Sequence, residues 1–195
     1  KNYNIRIDEY KKISFESLPL PKIKLENVLV NLNDKKSNLK VQNLNIYPKL
    51  FSIYNYQDFE TNKIILKNSK IFIKASEFNS FTQNFLKQKK KIILNNLELN
   101  IFEGKNSIIN FKNIKFANFG YNKNLISGVV FEKKFKIKIE NDLQNIDFKL
   151  LNSGVTANVN LYNKSKPNLI SGVLKSKVLN TNFKSNFDFN SKKVI

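Results

Sequence analysis

An eight-residue pattern of apolar and polar positions returns five times: Ile23–Val30 (IKLENVLV), Leu39–Ile46 (LKVQNLNI), Ile64–Ile71 (IILKNSKI), Ile92–Leu99 (IILNNLEL) and Ile109–Phe116 (INFKNIKF). Each copy is apolar at its first, third and eighth positions and carries asparagine at its fifth: Asn27, Asn43, Asn68, Asn96 and Asn113. The sixth position is apolar in every copy except the third, where it is Ser69. Alternation with period two is the signature of a strand, because successive side chains point to opposite faces. Positions one and three obey that period and positions six and eight obey it again, but the step from three to six breaks it. One extra residue at the asparagine restores the phase, and asparagine tolerates the backbone angles that bulges and turns require. The pattern therefore predicts a bulged strand with all its apolar side chains on one face. A turn at each asparagine, splitting every copy into two short strands, is the competing expectation.

The intervening segments are read from the same patterning. Residues 1–17 alternate through Ile5, Ile7, Tyr10, Ile13 and Phe15, an opening strand or strand pair. Leu18-Pro19-Leu20-Pro21 follows, and two prolines so spaced favour extended backbone and donate nothing to a ladder, which makes a fixed entry to the first copy. The aromatic run from Tyr47 to Phe59 predicts a turn at Tyr47-Pro48 followed by a strand on the same core. A short helix is predicted near residues 76–88, with Ser76 as cap, Glu77 in the first turn and Phe78, Phe81 and Phe85 on one face. Lys87, Lys89, Lys90 and Lys91 stand near its C-terminal end, the sign the helix dipole favours. Such a helix closes one end of a sheet or rests on a bilayer surface.

Beyond residue 119 simple alternation takes over. Phe135, Ile137 and Ile139, then Ile146, Phe148 and Leu150, then Val155, Ala157, Val159 and Leu161 are separated by polar residues and punctuated by turn clusters. That spacing predicts an antiparallel meander. A second echo joins its two ends, Leu125–Val129 (LISGV) recurring as Leu169–Val173. The expected organisation is a single all-β segment, 1–195, with leading strands at 1–17, the five-copy region at 18–119 and the meander at 120–195. Its fold class is an elongated, twisted antiparallel sheet rolled into a groove, since each repeat buries little alone and must stack on its neighbours.

Composition then removes most chemistry. The chain has no Cys and no His, which excludes disulfides, thiol and imidazole catalysis and nearly every zinc site. The closest carboxylate pairs, Asp8 with Glu9, Asp58 with Glu60 and Glu140 with Asp142, lack a third ligand or a glycine-rich loop beside them, and read as solvated surface. No enzyme, metal or cofactor is expected. The net charge of +19 would by itself point to a polyanion. Lysine, however, is spread over the polar positions of strands, and its abundance travels with Asn, Ile and Phe, a codon-composition signature. There is a single Arg, Arg6, whereas nucleic-acid stacking surfaces usually set Arg and Gly around their rings; nucleic acid is not the expected partner. No apolar stretch reaches the roughly 18–20 residues that cross a bilayer. The chain carries no Met and reads as an excised segment, any membrane anchor lying outside it.

The stretch Leu18–Val30 (LPLPKIKLENVLV) resembles the start of the AsmA domain, where a Leu-Pro-x-Pro turn enters an apolar strand centred on Asn or Asp. The likeness continues through Leu39–Ile46, Pro48-Lys49-Leu50 and Ile64–Ile73 (IILKNSKIFI), and covers roughly residues 1–116. The resemblance implies a periplasmic segment of a Gram-negative envelope protein, anchored to the inner membrane by an N-terminal helix absent here. It implies a non-enzymatic groove that carries phospholipid between inner and outer membrane or serves outer-membrane biogenesis. The lysine and asparagine content departs from the family. The expected acyl-chain lining is Ile23, Leu25, Val28, Val30, Leu39, Val41, Leu44, Ile46, Leu66, Ile71, Leu94, Leu97, Phe111 and Ile114. Two rival classes stay open, a closed β-sandwich with a structural or adhesive role and a basic nucleic-acid binder. They differ from the groove in having, respectively, no continuous apolar cavity and lysines gathered beside exposed rings.

Overall fold

A computed structural model describes residues 6–32, 37–50, 60–86, 90–140, 144–162 and 169–190. Among them are thirteen strands and one helix, an all-β chain. It divides into two compact units, Lys1–Lys123 and Asn124–Ile195. The boundary falls close to where the repeated pattern gives way to plain alternation.

The first unit contains β1 (Arg6–Glu9), β2 (Lys12–Glu16), β3 (Lys22–Leu32), β4 (Ser37–Pro48), β5 (Thr61–Lys74), α1 (Ala75–Leu86), β6 (Lys91–Glu103) and β7 (Asn106–Ala117). Its sheet runs β1-β3-β4-β5-β6-β7, and β2 pairs with the beginning of β3 while β1 pairs with its end. All five copies of the pattern lie within unbroken strands, β3 to β7 in order, so no turn divides them. One pair departs from antiparallel order: β5 and β6 are parallel, Ile64 beside Ile92 and Ile71 beside Leu99. Parallel neighbours need a crossover rather than a hairpin, and α1 supplies it. The helix begins one residue before Ser76, keeps Glu77 in its first turn and ends at Leu86. Lys87 and Lys89 lie outside the described residues, and Lys91 opens β6 instead of ending the helix. The strand expected over 51–59 also lies outside the described residues.

The pattern pairs so well because it is symmetric under reversal. Positions one and eight, and three and six, exchange places when a strand is turned around, so apolar meets apolar in either direction. In β3 and β4 the partners are Ile23 with Ile46, Leu25 with Leu44, Val28 with Val41 and Val30 with Leu39. The pairing of β4 with β5 repeats this.

The second unit is a plain meander, β8 (Leu125–Val130), β9 (Lys133–Glu140), β10 (Asn145–Leu150), β11 (Val155–Tyr162), β12 (Leu169–Val178) and β13 (Thr181–Asn190). Each strand pairs antiparallel with the next and without a register shift. The registers place the alternating apolar residues of β9, β10 and β11 opposite one another, Ile137 with Phe148 and Phe148 with Ala157, hence on one face. They also explain the LISGV echo. Gly128 sits opposite Phe135 and Gly172 opposite Phe187; a ring folds over the bare backbone of a facing glycine and restores the packing that a missing side chain would forfeit. At Gly172 the fit is close, with the Phe187 Cζ 2.9 Å from where a Cβ would stand.

Candidate functional site

In the first unit the register gathers the apolar positions of β3–β7 into transverse rows. The row of Ile23, Ile46, Ile64 and Ile92 is half-buried. The next contains Leu25, Leu44, Leu66, Leu94 and Phe116, then Val28, Val41, Ser69, Leu97 and Ile114, then Val30, Leu39, Ile71, Leu99 and Phe111. Of the fourteen residues expected to line a groove, Leu25, Val28, Val30, Leu39, Val41, Leu44, Ile71, Leu94, Leu97 and Ile114 are buried. Val28 and Val41 retain only 2% of their surface. Ile23, Ile46, Leu66 and Phe111 are half-buried. The structure thus brings all fourteen onto one face and fills most of that face with its own side chains.

The helix contributes to this filling. Ser37, at the start of β4, donates its hydroxyl to the Glu77 carboxylate in the first turn of α1. At the other end Phe85 stacks on Phe81, and its ring centroid lies 5.2 Å from that of buried Phe116 on β7. The helix therefore lies against the apolar face from one row to another rather than at its rim, and Ile73, at the end of β5, has no exposed surface. Ser69 is the one polar member of the central row. It is 2% exposed and its hydroxyl has no hydrogen-bond partner among the described residues.

On the opposite face the asparagines form a row of their own. Asn27, Asn68, Asn96 and Asn113 have φ of 52°, 51°, 63° and 53°, the left-handed region in which asparagine is the usual non-glycine residue. Asn43 does not share it. In β4 the residue level with Asn27 and Asn68 is Gln42, since Glu26 pairs with Asn43 and Val28 with Val41. From β3 to β6 the phase slip therefore takes a different form from a bulge of two residues against one: neighbouring strands slip together at one level, and each keeps its register on both sides of it. Between β6 and β7 the register shifts twice here, from Asn95 to Leu97 and from Leu97 to Leu99, and at the second shift two residues of β7 face one of β6 as in the expected bulge. The side chains continue the row. Asn96 donates to the Asn68 amide oxygen at 2.8 Å, and Asn68 donates to the Gln42 amide oxygen at 3.0 Å. A polar crease of about 690 Å³ follows this line across β3–β7.

An ion pair lies beside the crease. Lys70 lies 2.8 Å from Glu98 on the adjacent strand. That ammonium, with an Asn110 amide, holds the Glu98 carboxyl below its ordinary range. Of the carboxylates singled out from the sequence, three have partners among the described residues. Asp8 accepts the Asn31 backbone N–H at 3.0 Å, Glu60 is paired with Lys49, and Glu140 with Lys138 at 2.5 Å; Asp58 and Asp142 lie outside the described residues. The described residues contain no group of three or more carboxylates that could hold a metal, and no helix among them is long and apolar enough to cross a membrane.

Comparison with family models, curated proteins and solved structures gives no match for this chain.

The second unit holds the apolar surface that the expected lining left out. Ile126, Ile137, Phe148, Ala157, Ser176 and Phe183 follow one another across all six strands. Five of them are half-buried and Phe183 is 55% exposed. Parallel to this row run Phe135, Leu150 and Val155, of which only Phe135 is fully buried. The clue was present in the alternation of 135–161, but alternation assigns a face and not the layer that covers it.

Proposed function

We propose that this chain is a non-enzymatic segment that holds lipid acyl chains against a one-sided apolar sheet, in the manner of the envelope grooves its first 116 residues resemble. The observation that carries the reading is the meander. Six strands place most of their apolar side chains on one face, where Val130, Phe135 and Ile139 are buried but the row from Ile126 to Phe183 stays half-buried or exposed, and no helix or second layer belongs to the unit's described residues. A contiguous apolar surface in contact with water is costly and marks a binding face. Acyl chains lie along the row from Ile126 to Phe183, while headgroups stay among the lysines in water, since desolvating their charge would cost more than the chains gain. Transport of phospholipid between inner and outer membrane, from a periplasmic position and with an anchor outside this segment, is the corresponding role.

A second reading rests on the first unit, where ten of the fourteen expected lining residues are buried: there the apolar face is a core and the unit is structural. Native mass spectrometry with lipid extraction, on the chain purified from a bacterial envelope, separates the two. Leu174 stands opposite Val159 on the same face and is half-buried; co-purifying phospholipid that is lost in a Phe183→Ser, Leu174→Ser variant with unchanged circular dichroism supports carriage. A folded, lipid-free wild-type chain refutes it and leaves a structural sheet.

A further inference from the structure

The hairpins β8–β9, β10–β11 and β12–β13 all turn at the same end of the meander, and their tips are tied to one another. The Leu151 N–H donates to the Lys134 carbonyl at 2.8 Å, Lys133 Nζ to the Asn152 carbonyl at 3.4 Å, and the Leu179 N–H to the Gly154 carbonyl at 3.0 Å. Two of the tips carry large apolar residues in backbone that disfavours them. The β8–β9 loop is the pair Phe131-Glu132, with φ of 48° and 63°, and the β12–β13 loop begins with Leu179 at φ 55°. Two-residue hairpin loops of this kind take Asn, Asp or Gly by preference, and a bulky residue at positive φ is strained. Neither side chain recovers that strain by burial, Phe131 being 73% and Leu179 66% exposed. The sequence thus holds an aromatic and a leucine at positions where both folding and solvation favour asparagine.

Behind the tips the lysines are arranged against their own repulsion. Lys136 and Lys149 are direct cross-strand partners and both are exposed, an arrangement that destabilises a sheet unless an anion lies over it. Exposed Lys134 and Lys177 flank them on the same face, against the single acid Glu132 of the tips. A groove of about 560 Å³ opens beside them, lined by Lys149, Lys175, Lys177 and Lys184 together with Asp147.

We infer that this end of the second unit docks on a bilayer surface containing anionic phospholipid. Phe131 and Leu179 enter the boundary between headgroups and acyl chains, where an apolar body at a polar interface is favoured. The lysine cluster faces the phosphates, as juxtamembrane basic clusters do. The charge pattern alone would also fit a soluble polyanion; the two strained apolar tips favour the membrane. Docking is independent of acyl-chain carriage and is read separately from it.

The test is co-sedimentation of the whole chain with phosphatidylcholine vesicles, with and without phosphatidylglycerol. Wild type is expected to bind the anionic vesicles and to weaken as salt rises. The pair Phe131→Asn, Leu179→Asn is expected to bind at least tenfold more weakly while melting at the same or a higher temperature, because asparagine suits both turns. Lys136→Gln with Lys149→Gln is expected to weaken binding to anionic vesicles alone. Absence of wild-type binding overturns the inference, and so does undiminished vesicle binding by the asparagine pair, which would leave a general polyanion surface.

Discussion

Replacing Asn68 by alanine and by glycine separates what its backbone does from what its side chain does. Asn68 sits at φ 51°, is exposed, and takes part in two amide hydrogen bonds, to Gln42 and from Asn96. Alanine in the left-handed region incurs a clash between Cβ and the following carbonyl of about 1–2 kcal/mol, which asparagine partly offsets by local hydrogen bonding and glycine avoids. Exposed amide hydrogen bonds contribute at the low end of about 0.5–1.5 kcal/mol each. Asn68→Ala is therefore expected to destabilise the chain by about 2 kcal/mol, and Asn68→Gly by about 1 kcal/mol less than that. Asn43 is an internal control: it holds the same place in the repeat without positive φ, so Asn43→Ala should cost no more than about 0.5 kcal/mol. Urea unfolding followed by far-ultraviolet circular dichroism measures all three. A glycine variant no more stable than the alanine variant, or an Asn43→Ala as costly as Asn68→Ala, would refute the claim that the row of asparagines exists to hold left-handed backbone at one level of the sheet.

Two further substitutions probe the packing. A methyl group at Gly172 would stand 2.4 Å from the Asn160 carbonyl and 2.9 Å from the Phe187 ring; Gly172→Ala is expected to cost roughly 2 kcal/mol or more and to speed amide exchange in β11–β13 ahead of the rest of the chain. At Ser69 the buried hydroxyl has no partner among the described residues, so Ser69→Ala should stabilise by about 1 kcal/mol in the same urea assay, and a loss of stability would show that the hydroxyl is satisfied.

The residue pattern is enough to set the strands, their apolar faces and their crowding together. The reversal symmetry of the eight-residue pattern makes any two copies compatible, and the alternation from Phe135 to Leu161 excludes every odd shift of register, leaving the short turns to select the one in which these apolar residues meet. It also marked the asparagines, because a break in period two at a residue tolerant of positive φ has few structural solutions. Tertiary structure alone decided the rest. The same symmetry that lets copies pair in either direction conceals that β5 and β6 run parallel, since only the crossover through α1 fixes their direction. The common level of the slip depends on neighbouring registers, so that Gln42 takes the place expected of Asn43. Burial was equally hidden: a pattern of alternating residues fixes which side is apolar, but whether Leu25 becomes core and Phe183 stays exposed depends on what packs over each, which is a property of the assembled sheet and its helix.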